Sequence, residues 1–269
     1  MTRPLTALSI VLSRYRAFQA PLRFVHRRVG GGGAWRRHHP FDAAHGISTS
    51  GYLPWWLLRT GSEADVENSG YAGCQPSCLR RALSTIPDPA RFTYLDLGCG
   101  MGRSLAVASE LPFRRIVGVE IAPEIAAAAR GNAAVLRERF PDRTPAEVVE
   151  GDASAAALPE GDLVVFLYHP FGRALVERLV ARLVEAAGRE IFFVYENPVH
   201  GALLDARAEF RRWHAETVAC EPGELGFAPE SCETIVTWRC GGEASARPYP
   251  GAEARISSTP WRAGLEAPG

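Results

Sequence analysis

The segment Asp96-Leu97-Gly98-Cys99-Gly100-Met101-Gly102, entered from the apolar run Phe92-Thr93-Tyr94-Leu95, constrains this chain more than any other stretch. It reads as a strand, a tight turn with three alternating glycines, and a helix opened by Arg103-Ser104-Leu105-Ala106. Glycines at such a turn let backbone N–H groups approach a ligand closely, and the helix N-terminus adds partial positive charge. A dinucleotide site usually keeps the strand apolar and spaces its glycines G-x-G-x-x-G, because a pyrophosphate lies against the turn. Here Asp96 puts a carboxylate at the strand tip, a poor neighbour for phosphate and a good one for a cationic amino-acid ligand.

The next strand tips carry polar groups in register with the turn. Ile116-Val117-Gly118-Val119-Glu120 reads as a second strand ending in an acid. That acid lies about 20 residues past the turn, where a βαβ unit sets a carboxylate against ribose hydroxyls. Ala146 to Glu150 forms a short third strand running into Gly151-Asp152-Ala153, and Leu163 to Tyr168 a fourth that ends at His169-Pro170-Phe171. Each residue alone has a plainer role. Asp96 could cap a turn, Glu120 could precede the helix started by Pro123, Asp152 could belong to a turn only, and His169 could be structural. Four consecutive tips in register favour a ligand.

These residues resemble motif I and the following motifs of the class I, seven-β-strand S-adenosylmethionine-dependent methyltransferases, nearest in pattern to protein-lysine methyltransferase-like members. The resemblance covers roughly residues 41–240. It implies an α/β fold: a Rossmann-like seven-strand sheet with helices on both faces and one antiparallel strand. It implies S-adenosyl-L-methionine as cofactor, with Asp96, Gly98 and Gly100 at the turn, Glu120 on the ribose, and Asp152 with Ala153 at the adenine. The opening Phe41-Asp42-Ala43-Ala44-His45-Gly46-Ile47-Ser48-Thr49-Ser50-Gly51 and the Tyr71-to-Pro76 step are similar to segments that precede motif I, which makes Tyr71 and Gln75 candidates for the methionine end.

At the fourth tip, Tyr168-His169-Pro170-Phe171 keeps the proline and aromatic ring but has His where amine-receiving members have Asp or Asn. His169 would hydrogen-bond the nucleophile or take its proton, Phe171 would wall the acceptor, and Tyr168 stands beside them. The reading is methyl transfer to nitrogen, on a protein side chain ahead of a small molecule. A small-molecule methyltransferase and a catalytically silent cofactor-binding protein are the alternatives. Asp96 and the glycine spacing count against a nicotinamide oxidoreductase.

The remaining elements follow from periodicity: a helix over 174–187, a strand over 190–196, a helix over 203–210, and strands over 217–220 and 234–239. Residues 41–51 read as a polar, glycine-punctuated loop, and Pro76 as the start of a helix over 78–85. Residues 241–269, rich in Gly, Pro, Ala and Ser, read as a disordered tail.

Charge divides the chain. All 30 basic residues are arginine, which excludes lysine nucleophiles, Schiff bases and phosphate-loop lysines. Residues 1–41 hold eight arginines and no acid, so the body beyond them is net −8. An acidic body argues against tight nucleic-acid binding, and no nucleic-acid partner is expected. Residues 1–40 read as a basic amphipathic arm with a glycine linker at 30–33: Leu5, Leu8, Leu12, Tyr15, Phe18, Leu22, Val25 and Val29 share a helical stripe kinked at Pro21. Such an arm could pack on the domain, make peripheral membrane contact through residues 1–29, or act in organelle import. His38 and His39 lack matching ligands, so no metal is expected. Six cysteines without C-x-x-C spacing suit free thiols in a reducing, cytoplasmic setting.

Overall fold

A computed structural model describes residues 38–53, 70–168, 171–186, 188–225, 231–242, 247–249, 251–259 and 262–267. The apolar stripe from Leu5 to Val29 and the glycine linker lie outside the described residues, as do His169 and Pro170.

The order begins with α1 (Pro40–His45), β1 (Tyr52–Leu53), β2 (Tyr71–Ala72) and α2 (Pro76–Leu83), then β3 (Thr93–Leu97), α3 (Arg103–Ala108), β4 (Arg115–Glu120) and α4 (Pro123–Arg139). It continues with β5 (Ala146–Glu150), β6 (Leu163–Tyr168), α5 (Arg173–Glu185), β7 (Ile191–Glu196), α6 (Ala202–Asp205), β8 (Phe210–Ala219), β9 (Cys232–Cys240), β10 (Arg255–Thr259) and β11 (Arg262–Glu266). Seven strands form one sheet in the order β5-β4-β3-β6-β7-β9-β8. β9 alone runs against its neighbours, inserted between β7 and β8. The chain reverses direction across the sheet at β3, the topological switch point where open α/β sheets bind ligands outside the strands' carboxyl ends.

Both faces are covered, which is why β3, β6 and β7 are apolar at almost every position. Leu79, Leu83, Leu105 and Leu136 from α2, α3 and α4 join a cluster with Tyr94, Phe166 and Phe192. Leu175, Leu179 and Leu183 of α5 and Leu204 of α6 join the opposite cluster with Leu95, Val165, Phe193 and Trp238. Alternation then dictates the polar tips. Asp96 follows Tyr94 onto the first face, Tyr168 follows Phe166, and Glu196 follows Val194.

Four expectations change. Residues 40–45, expected as loop, form α1, because Pro40 occupies the first turn, His39 Nδ1 accepts the Phe41 N–H at 3.1 Å, and Gly46 closes the helix at φ 71°. The helix expected over 203–210 stops at Asp205, and β8 starts at Phe210, far earlier than Thr217. A bulge at Arg212/His214 keeps its long pairing with β9. The tail expected to be disordered contains the hairpin β10–β11. It is tied down: the Ala263 N–H donates to Asn197 Oδ1 at 2.8 Å, Ala263 is buried, and Arg212 donates to the Ala254 carbonyl.

Gly118 in β4 lets the turn after β3 sit close. A Cβ there would lie 2.7 Å from Cys99 Sγ and 2.8 Å from Leu105 Cδ1. Gly118→Val, favourable for a strand in isolation, is therefore expected to destabilise by about 1–3 kcal/mol through overpacking, lowering the melting temperature by roughly 2–12 °C. An unchanged thermal transition would contradict this packing.

Candidate active site

The turn after β3 folds back on the tip of β4. Gly98, Gly100 and Gly102 have φ of 91°, 54° and 86°, which a side chain would strain. The N–H groups of Gly98 and Cys99 donate to the Val119 carbonyl at 2.9 and 3.0 Å, and that of Gly100 to Glu120 Oε2 at 2.9 Å. The Ala122 N–H donates to Glu120 Oε1, also at 2.9 Å. Glu120 thus fastens the glycine turn to the start of α4, and burial pushes its pKa up despite these donors.

Asp96 is 2% exposed and accepts a hydrogen bond from the Ser104 hydroxyl. Burial raises its pKa from 3.8 to about 7, with Glu120 adding to the shift and Ser104 opposing it. Among the described residues no arginine pairs with it, so a buried carboxyl stands at the turn without a cation. That is the environment a cationic ligand would complete.

The segments before motif I close over this turn through Arg103. Its guanidinium donates to Thr49 Oγ1 at 2.7 Å, the Thr49 carbonyl at 3.1 Å and the Cys74 carbonyl at 3.3 Å. Asp42 accepts from the Thr49 N–H and hydroxyl and the Ser50 hydroxyl, and lies 3.7 Å from Arg103. Tyr71 donates its phenol to the Thr49 carbonyl at 2.5 Å and lays its ring against Gly100, where any side chain would collide with it. Between Tyr71, Gly73, Asp96, Gly100, Arg103 and Tyr168 only a small cavity of about 20 Å³ is left.

A second carboxyl group of residues lies on the same sheet face. Tyr168 is paired with Glu196 across β6 and β7, and Glu196 with Ile235, two residues from Glu233. Tyr168 donates to Glu233 Oε1 at 3.0 Å. Glu196 is fully buried and accepts the Gln75 N–H at 3.2 Å. Burial and the neighbouring Glu233 hold its pKa well above the carboxylate range. Beyond Tyr168 opens a larger cavity of about 490 Å³, bounded by Asn197, Thr217, Cys232 to Thr234 and Arg262 to Leu265.

The sequence-predicted residues therefore separate. Tyr71, Asp96, Gly98, Gly100 and Tyr168 share one cleft, and Glu120 is hydrogen-bonded to it. Asp152 stands exposed at the tip of β5, its carboxylate accepting the Ser154 N–H at 2.8 Å, while Ala153 is buried. Gln75 is not in the cleft; the start of α2 turns it inward, 1% exposed, and its backbone rather than its side chain meets the carboxyl row. Phe171 is 9% exposed and lies in the apolar cluster that holds Leu175 and Leu179. His39 caps α1, and no metal-holding cluster exists among the described residues. Sequence reading missed Arg103, taken only as a helix opener, and Glu196 and Glu233. Glu196 carries the same signal as Glu120, an acid ending an apolar strand.

A family model for a methyltransferase domain matches residues 95–171, from β3 to just beyond the tip of β6. Over these residues, under a third of its length, the chain is similar to a methyltransferase domain. No protein of curated function matches the chain. Among solved structures, the chain is similar to a Listeria monocytogenes protein assigned to the class I S-adenosylmethionine-dependent methyltransferases, at 12% identity and TM-score 0.46 over 64% of this chain and 60% of that one. It is also similar to magnesium protoporphyrin IX methyltransferase from Synechocystis PCC 6803, at 11% identity and TM-score 0.45, over 62% and 81%. A third is a glycopeptide N-methyltransferase solved with S-adenosylmethionine, at 17% identity and TM-score 0.43, over 65% and 90%. The strand order defines the fold without them. No helix among the described residues is long and apolar enough to cross a membrane.

Arg103 ties both covering segments to the helix that follows the turn. Arg103→Met would leave Asp42 buried without its cation and take a donor from the Cys74 carbonyl, at a cost on the order of 3 kcal/mol. Faster proteolysis between residues 38 and 74 is expected, with the sheet's far-ultraviolet signal retained. A wild-type cleavage rate would contradict the clamp.

Proposed function

We propose that the protein transfers the methyl group of S-adenosylmethionine to a nitrogen, presented on a protein side chain. The observation that carries the reading is the row of carboxyl groups along one sheet face, Asp96, Glu196 and Glu233, meeting around Tyr168. Neither Asp96 nor Glu196 pairs with an arginine among the described residues, and Glu233 and Glu224 push the Glu196 pKa up beyond the effect of burial. Such a row suits two cations: the amino-acid end of the donor and an amine acceptor.

When bound, the donor supplies a methyl already activated on a sulfonium. The chain's part is to bind and align. Asp96 receives the methionine ammonium, Glu120 the ribose hydroxyls, Asp152 the adenine amine, and the Tyr71 ring covers the turn. The Glu120 carboxylate has lone-pair capacity left beyond the backbone N–H groups it accepts. A dry cleft disfavours the charged form of an amine and eases the proton loss that must precede attack. The preference for a protein side chain rests on Tyr71 and the pre-motif segment; Gln75, turned away from the cleft, lends it no support.

The Asp96 carboxyl gives a pH signature. With a folded pKa of about 7 against 3.8, it is protonated in the free protein below neutrality. The proton is bound more tightly by the folded chain, so Asp96 stabilises the fold least above pH 7, and its contribution is lost as pH rises from about 4 to 7. A cationic ligand prefers the carboxylate. Affinity for S-adenosylmethionine is therefore expected to fall as pH drops below about 7, approaching tenfold per unit. Asp96→Asn should bind more weakly at pH 7.5 and lose this dependence. A pH-independent wild-type affinity between 5.5 and 7.5 would remove Asp96 from the ligand.

A further inference from the structure

The larger cavity has a direction. Its inner end is formed by Tyr168, which also lines the cleft at the glycine turn, and by Glu233, 8% exposed. Its outer rim is formed by Thr217 and Arg262, both exposed. Its roof is β11, held against the end of β7 by the Asn197 side chain. Asn197 itself sits at φ 50°, a left-handed conformation uncommon outside glycine, so the backbone there is bent where its side chain takes hold of the roof. At about 490 Å³ the space falls within the range of small-ligand pockets, about 300–1,000 Å³.

Methyl transfer needs the acceptor nitrogen about 3 Å from the methyl carbon, so the acceptor's path must reach the cleft at a shared wall. Tyr168 is such a wall. The geometry points to the cavity beneath the C-terminal hairpin as the acceptor channel, taking a primary amine on a slender apolar stem, with the nitrogen against Glu233 and the stem along Leu265. This assignment rests on the methyl-transfer reading above and deepens it. Glu233 is oriented by the Tyr168 phenol, which donates to one of its oxygens. The proton lost by the ammonium passes to the Glu233 carboxylate. The freed lone pair then forms the N–C bond as the methyl–sulfur bond breaks, and that bond's electron pair stays on sulfur as a neutral thioether. An amine of this shape is a lysine side chain entering from the rim or a free alkylamine.

Calorimetry on the full chain saturated with S-adenosylhomocysteine tests the channel. n-Pentylamine is expected to bind, and n-pentanol at least tenfold more weakly. Glu233→Gln should weaken n-pentylamine at least tenfold. Gly264→Trp, at a roof position where an added Cβ meets no atom within 4 Å, should block it by filling the space. Both variants should hold S-adenosylhomocysteine within twofold of wild type. In a labelled-methyl assay, label on a single-lysine peptide identifies the side chain as source, and label only on n-pentylamine identifies a free amine. Equal binding of amine and alcohol, wild-type amine affinity in both variants, or no label on either probe overturns the channel. Failure of the wild type to bind S-adenosylhomocysteine would instead overturn the methyl-transfer reading.

Discussion

The site depends on how tightly the turn after β3 is drawn onto the tip of β4. Three successive N–H groups, of Gly98, Cys99 and Gly100, all point back to Val119 and Glu120. That arrangement fixes the distance between the glycine turn and the carboxylate that follows the second strand. It requires positive φ at the glycines and a bare Gly118 beneath Cys99 and Leu105. It also presents Gly100 as a flat surface for the Tyr71 ring and starts α3 with Arg103 in reach of Thr49 and Cys74. The cover over the site is thus built from the turn outward.

The second constraint is electrostatic. Asp96 and Glu196 are buried carboxyls held above their ordinary pKa by desolvation, a state that costs stability and that a compact fold does not otherwise need. Strand alternation puts them on one face with Tyr168 and Glu233, at the carboxyl ends where the open sheet leaves a crevice. Perturbed carboxyls gathered in a crevice are characteristic of functional sites. Their placement makes this end of the sheet suited to cationic ligands.

Much of this was legible in the sequence because the parallel strands are short apolar runs that end in a single polar residue. β5 and β6 fall on the stretches their residue types indicate, and Asp96, Glu120 and Tyr168 lie where the register of tips requires. What was hidden depends on contacts between residues far apart in the chain. The hairpin β10–β11 is polar and glycine-rich locally, and it is held by Asn197 and Arg212. Gln75 and Phe171 have the residue types of a ligand shell, yet α2 and α5 turn them into the interior, a choice made by packing rather than spacing. Arg103 looks like an ordinary helix residue until Asp42, Thr49 and Cys74 are brought around it.

The central claim is that this end of the sheet is a site for the methyl donor and not for a dinucleotide. Calorimetric titration of the full chain with S-adenosylhomocysteine and, separately, with NADH addresses it most directly. The account predicts saturable binding of S-adenosylhomocysteine and no heat of binding from NADH, because Asp96 and the short glycine spacing leave no seat for a pyrophosphate. Binding of NADH with none of S-adenosylhomocysteine would contradict it.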